Sequence, residues 1–414
     1  MTVHTPSSIN TGSRLNRRQA ALLVVGLLLV AANLRPTLTS VGPVMERIAQ
    51  DTGLPASALG LLTALPLLAF AVVSPLTHRI SLRFGPEITV AAAMLVLAGG
   101  TILRSAGGST VNLWLGTFIV GAAIAVGNVL VPGIIRRGLP HRVAALTGIY
   151  TAVLYSFAAL ASGLAVPVAE AAQSAAGAGW QVALGSWALL TVPALLLWIP
   201  QLRFAARESK LRAPAAGCSS VHRPAGNIWK SRVAWDVTVF MGLQSTTFYT
   251  LVSWLPSIER SMGRSEAQAG WDLFVFVAVG IFSSLLTPVL MRRGGDQRLG
   301  AVVASSLMFL GVGGLVILPG ALLLWVVLSG LGAGAALVTA LTIIGVRART
   351  HQQTTALSGM AQSIGYLLAA FGPFTMGVLH DLSGTWSLPL VVLTGIAALQ
   401  LTTGISAARN RYVD

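Results

Sequence analysis

An arginine stands inside an oily run. Residues 20–32 are apolar, and the chain then reads Asn33-Leu34-Arg35-Pro36-Thr37-Leu38-Thr39-Ser40. A guanidinium near the middle of a membrane-spanning helix costs roughly 2.5–3.5 kcal/mol on insertion scales, so it normally turns to a polar interior and finds a partner there. No acidic residue close to Arg35 in the sequence offers itself. A fixed cation without an acid suits a small anion, which would complete the charge through paired hydrogen bonds to the planar fork. Further polar side chains fall at similar depth in apolar runs: Asn33, Asn128, Tyr155, Gln244, Ser245, Tyr249, Gln362 and Tyr366. With Arg35 they make the candidate substrate-binding set. Gln362 and Tyr366 are spaced i, i+4, as are Thr151 and Tyr155, so each pair shares a helix face. The competing reading is structural. Arg35 would then bond carbonyls freed by Pro36, the amides would tie helix to helix, and the tyrosines would be core residues with satisfied hydroxyls.

Other chemistries find no residues. The sequence has no metal-ligand cluster and no Walker-type phosphate loop, so neither a metal nor a nucleotide cofactor is expected. One cysteine, Cys218, makes no intrachain disulfide. The histidines fall in loops, at membrane edges or in the N-terminal tail, and no nucleophile–base pair accompanies them, so an enzyme is not expected. All twelve Asp and Glu residues fall at helix ends or in loops. A proton relay of the usual kind, with a carboxylate or histidine at mid-membrane, is therefore not visible.

The elements that must position the candidate set follow from composition. Of 414 residues, 54% are hydrophobic and 9% charged, the profile of a polytopic membrane protein. A spanning helix needs about 20 apolar residues. Twelve such runs are predicted, over 17–47, 57–78, 86–105, 110–135, 142–168, 180–201, 233–258, 267–291, 298–318, 320–346, 353–379 and 386–408. The first is long because Pro36, Gly42 and Pro43 bend it. The net charge of +15 would suit nucleic acid, but its placement argues against that partner. With the N-terminus inside, 22 of the 27 Lys and Arg residues fall in cytoplasmic segments, and Arg47, Arg104, Arg260 and Arg264 alone fall in outer loops. That asymmetry is the positive-inside rule and places both termini in the cytoplasm. The basic start, Arg14 to Arg18, before an apolar run mimics a signal peptide, yet eleven further spans favour an uncleaved first helix.

Residues 1–16 read as a disordered tail, 17–201 as a first six-helix bundle, 202–232 as a basic cytoplasmic linker, 233–408 as a second bundle and 409–414 as a tail. The second bundle echoes the first. Pro43-Val44-Met45-Glu46-Arg47 recurs as Pro256-Ser257-Ile258-Glu259-Arg260, Pro75 and Arg79 as Pro288 and Arg292, Gly121-Ala122 as Gly332-Ala333, Arg136 as Arg347, and Leu146-Thr147-Gly148 with Tyr155 as Leu357-Ser358-Gly359 with Tyr366, at an offset of about 211–213 residues throughout. A duplicated six-helix unit predicts two halves related by an axis along the membrane normal, with a site between them near midplane.

Four stretches in order, Asn33-Leu34-Arg35-Pro36, Gly127-Asn128-Val129, Gly242-Leu243-Gln244-Ser245 and Leu357 to Tyr366, make the chain resemble the major facilitator superfamily. More narrowly, it resembles the branch that includes cyanate and 2-nitroimidazole transporters. The resemblance implies an all-α membrane protein of twelve transmembrane helices in two pseudo-symmetric bundles. It also implies secondary transport of a small solute by alternating access across a bacterial inner membrane, by a monomer whose partners are its substrate and the lipid bilayer. Cyanate, meeting Arg35, is the first substrate expectation; a 2-nitroimidazole-like heteroaromatic, or passive anion flux through a channel, is the alternative. Gating residues are expected at Arg79, Arg136, Arg292 and Arg347. The family's loop between helices two and three reads G-x-x-x-D-R, where this chain has Ser74 and His78 in place of the glycine and the aspartate and keeps Arg79.

Overall fold

A computed structural model describes residues 17–139, 142–211, 228–291 and 296–413. The expectations for residues 1–16, for most of the 202–232 linker and for the Arg292 gate lie outside the described residues. Among the described residues the chain is helical throughout, without a strand. Twelve long helical units follow one another: α1 (Arg17–Leu34), α2 (Ala56–Phe84), α3 (Pro86–Ser105), α4 (Thr110–Gly138), α5 (Val143–Ala176), α6 (Gly179–Gly185, a 3-10 stretch, then Thr191–Leu211), α7 (Arg232–Ser261), α8 (Glu266–Met291), α9 (Arg298–Ile317), α10 (Leu322–Arg347), α11 (His351–Ser383) and α12 (Ser387–Ala407). Several overrun the apolar runs by one or two turns, because polar residues extend a helix past the hydrocarbon without cost.

The break after α1 is chemical. Pro36 has no N–H to give and its ring clashes with the preceding turn, so α1 stops at Leu34. The chain continues as short turns, Pro36–Thr39 and Gly42–Val44, and then the helix Met45–Thr52. The carbonyl of Arg35 accepts from the N–H groups of Leu38 and Thr39 at 2.9 and 3.1 Å, which starts the next turn.

Eleven of the helical segments are long and apolar enough to cross a membrane; α7 falls short. It carries Gln244, Ser245, Thr246, Thr247, Thr250, Ser253 and Ser257 and is buried along most of its length. Its hydroxyls and amide are sheltered by the helices packed around it, not turned to lipid.

The described chain begins and ends on the same face, termed the near face; the opposite one is the far face. The halves meet most closely toward the far face. There α2 lies on α11 so tightly that a side-chain carbon at Gly60 would run into the carbonyl of Pro373, and one at Gly377 into that of Ala56. Only glycine admits this approach of two backbones. The second crossing, of α8 on α5, brings Gly270 against the carbonyl of Ser162.

Polar bonds seal the same end. The guanidinium of Arg47 donates from Nε and Nη2 to both carboxylate oxygens of Glu266, at 2.9 and 2.6 Å. Arg260 pairs with Glu46 across the halves at 2.9 Å. Asp381 accepts from the backbone N–H groups of Ala56 and Ser57 at 3.0 and 2.8 Å. On the near face, Arg79 and Arg136 are exposed, whereas Arg347 is buried and donates to the carbonyls of Ala407 and Ala408 at 3.3 and 2.9 Å and to Gln297. It closes the end of α12 within its own half.

Arg104 corrects the charge census. The expectation put it in an outer loop, but it lies in the last turn of α3 and is 1% exposed. Burial of its neighbours in the bundle decides this, not its own polarity. Each arginine left on the far face (Arg47, Arg260 and Arg264) is ion-paired to an acid.

Candidate substrate cavity

The helix break aims Arg35 at the interface between halves. Its Nη1 donates to the hydroxyl of Tyr249 on α7 at 2.6 Å, and its guanidinium carbon lies 5.7 Å from the centre of that ring. Its Nε has no partner, and no carboxylate comes within ion-pair distance of it among the described residues. A buried guanidinium in that condition is held by one neutral hydroxyl and one aromatic face, which is little compensation for its desolvation.

A small cavity of about 20 Å³ opens beside it, lined by Arg35, Tyr155, Gln244, Ser245, Phe248, Tyr249, Ala333, Leu337 and Tyr366. The walls come from α1, α5, α7, α10 and α11, so both halves contribute. The repeat is visible in it: Tyr155 and Tyr366, one from each half, stand at corresponding positions. Rings interlock around the cation. Tyr249 meets Phe248 at 5.1 Å and Tyr366 at 6.4 Å between centroids. Tyr366 meets Phe70 of α2 edge-on at 5.3 Å, and Phe248 stacks on Phe276 at 6.0 Å. The side-chain amide of Gln244 donates to its neighbour Ser245 at 2.7 Å and to the carbonyl of Met241 at 3.2 Å.

Six of the nine candidate binding residues therefore share one cavity: Arg35, Tyr155, Gln244, Ser245, Tyr249 and Tyr366. The other three sit elsewhere. The amide of Asn33 donates to the carbonyls of Leu29 and Leu190, at 2.8 and 3.1 Å, and ties α1 to α6. That of Gln362 donates to Ser358 one turn back on α11 at 2.8 Å. Asn128 is half-buried on α4 and makes no hydrogen bond to a described residue. Sequence reasoning missed Phe248 and Leu337, which carry no signal that separates them from core, and Phe70, which does not line the cavity but backs Tyr366. Ala333 had one, since it belongs to the Gly332-Ala333 repeat of Gly121-Ala122.

A second, slightly larger cavity of about 30 Å³ lies on the far side of Tyr249, which lines both. Its wall includes Arg104, Thr37, Thr63, Thr117 and Ser253 among apolar residues of α2, α3, α4 and α7. The sequence pattern of the Major Facilitator Superfamily matches residues 23–373.

The chain belongs to this superfamily.

Within it the chain is 40% identical to the 2-nitroimidazole transporter of Escherichia coli over 399 residues, covering 96% of this chain and 98% of that one. It is 41% identical to an uncharacterized transporter, YycB, of Bacillus subtilis, covering 95% of each. Identity to the cyanate transport protein CynX of E. coli is 27%, over 92% of this chain and 96% of that one. In fold, it is similar to a bacterial homologue of the lysosomal transporter Spinster in an inward-facing, occupied conformation, with a TM-score of 0.71 at 16% identity over 95% of this chain and 97% of that one. The protein is thus a multi-pass membrane transporter, and its family and relatives are transporters, not enzymes.

Proposed function

We propose that this superfamily member moves a small planar solute bearing a nitro group by alternating access, with Arg35 donating to the nitro oxygens and the surrounding rings stacking on the heterocycle. The observation that carries this is a buried guanidinium without a carboxylate, bonded to one phenol and set in a cage of aromatic rings where the halves meet. The cation gives direction to a partly negative oxygen pair, and the rings select a flat partner. At about 20 Å³ the cavity as it stands has room for little more than a water molecule, so a one-ring solute enters only as the rings of Tyr155, Tyr249 and Tyr366 part. The higher identity to the 2-nitroimidazole transporter than to the cyanate protein points the same way.

A small anion such as cyanate is the second reading, favoured by the missing acid. Its uptake runs against the membrane potential, at roughly 2.3 kcal/mol per charge per 100 mV, so accumulation needs a co-transported cation, an exchanged anion or removal inside. A neutral nitroimidazole meets no such barrier. The charge placement supports cytoplasmic termini and a bacterial inner membrane, and the cavity is complete within one chain, in keeping with a monomer.

The test uses purified protein in detergent and in proteoliposomes. 2-Nitroimidazole should raise the melting temperature, by mass action on the folded state, and unsubstituted imidazole at equal concentration should not. Stabilisation by cyanate alone would move the assignment to the second reading. Saturable flux with counterflow separates a carrier from a channel; equal stabilisation by both imidazoles would remove Arg35 from the recognition of the nitro group.

A further inference from the structure

The larger far-side cavity contains a second buried cation, and nothing in the transport reading above uses it. Arg104 donates from Nη1 to the carbonyl of Thr37 at 2.6 Å. Its Nε and Nη2 are buried without a partner, and so is the hydroxyl of Thr37. The hydroxyl of Ser253, on the opposite wall, makes no hydrogen bond to a described residue. No acidic residue lines this space, and Arg104 is in no ion pair among the described residues. A buried polar group left unpaired costs about 1–3 kcal/mol, and more if charged, so an arrangement with several such donors around one void calls for an acceptor. Position adds to the argument. The carbonyl that Arg104 holds belongs to the turn right after Arg35, and the ring that Arg35 holds, Tyr249, is the wall between the two cavities.

We propose that the Arg104 cavity is a second binding position for a small oxyanion or nitro group, lying between the far-face seal and Tyr249. Nη2 and Nε of Arg104 donate from one wall with the hydroxyl of Thr37 beside them, and the hydroxyl of Ser253 donates from the opposite wall. Tyr249 divides the two positions, so a solute released from Arg104 reaches Arg35 by displacement of one phenol side chain. This rests on the reading of the first cavity only for the identity of the solute; the occupancy of the second is measurable without it.

The experiment measures binding of sodium nitrate, as a planar oxyanion probe, to the purified full chain by calorimetry in chloride-free buffer. The Arg35→Gln variant is expected to retain one binding event, and Arg104→Gln to lose that event while keeping the other. Complete loss of nitrate binding in Arg35→Gln, with the protein still folded, overturns the second position. Arg104 also pins the turn after the α1 break, and its removal can therefore unfold the bundle. The Thr37→Val/Ser253→Ala double variant keeps the guanidinium and is read in the Arg35→Gln background. Loss of hydroxyl donors to a bound anion should weaken the remaining event about tenfold; unchanged affinity there overturns the proposal. Failure of the first cavity to bind a nitroimidazole leaves each of these outcomes readable.

Discussion

Asp381 offers the most direct test of how the far face is held. Helix α2 begins after Pro55, which supplies no side-chain cap, so its first N–H groups would be left open. The carboxylate of Asp381, from the other half, takes two of them, at Ala56 and Ser57. It serves as an N-cap across the interface. Removing an N-cap costs about 0.5–2 kcal/mol, with roughly 0.3–1 kcal/mol more from a carboxylate at the helix dipole. Asp381 is exposed, and the freed N–H groups meet water when the halves part, so the lower end applies: about 1 kcal/mol, or a population shift of about fivefold. The assay is thiol labelling in intact cells by a membrane-impermeant reagent, in a Cys218→Ser background with a cysteine at Ser253, which lines the far-side cavity below the seal. Asp381→Ala should raise the labelling rate about fivefold, and Asp381→Asn, which still offers one acceptor oxygen, should raise it less. A rate unchanged in Asp381→Ala, with normal expression and folding, would refute the cross-half cap.

Arg35→Ala should abolish transport while the protein still folds and inserts, and Arg35→Lys should be severely impaired, because an ammonium does not reproduce the planar fork; wild-type uptake by either sinks the assigned role. Gly60→Val should hold α2 and α11 apart and, in the same labelling assay, give more far-face access than Asp381→Ala, since the carbonyl it meets cannot give way. Arg347→Ala strips donors from the last carbonyls of α12; a loss of about 1–3 kcal/mol per buried acceptor should lower the melting temperature with little effect on Km for the solute. A large change in Km would support the expected gating role. Arg47→Gln should weaken the far-face seal most at low ionic strength, the Glu266 pair being partly exposed and open to screening.

Arg35 could be read from the sequence because a charge in an oily run has few excuses. The twelve-helix order was legible for the same reason in reverse, and the repeat pointed to Tyr155 and Tyr366 as partners across the site. Arg104 was misplaced because a basic residue at the end of an apolar run looks the same whether it leaves the membrane or bends back into the bundle. Asp381 ends an apolar run as any solvated acid would; it is exposed and yet caps a helix 325 positions away in the chain, which no local pattern reveals. Asn33 and Gln362 drew attention as amides at depth, but carbonyls and a hydroxyl within reach satisfy them, and sequence does not show where an amide points. Phe248 walls the cavity and Phe70 backs Tyr366 from α2, while both look like any other core aromatic.

The seventh helix has a consequence for how the protein is made. Its hydroxyl- and amide-bearing residues leave it less apolar than the eleven other spans, and it is the first segment of the second half to leave the ribosome. Its entry into the bilayer therefore depends on surfaces already in place, chiefly the broken turn after Arg35 and the early helices beside it. The first six helices thus act as a template for the next six, and a lesion confined to one half should surface as degradation of the other.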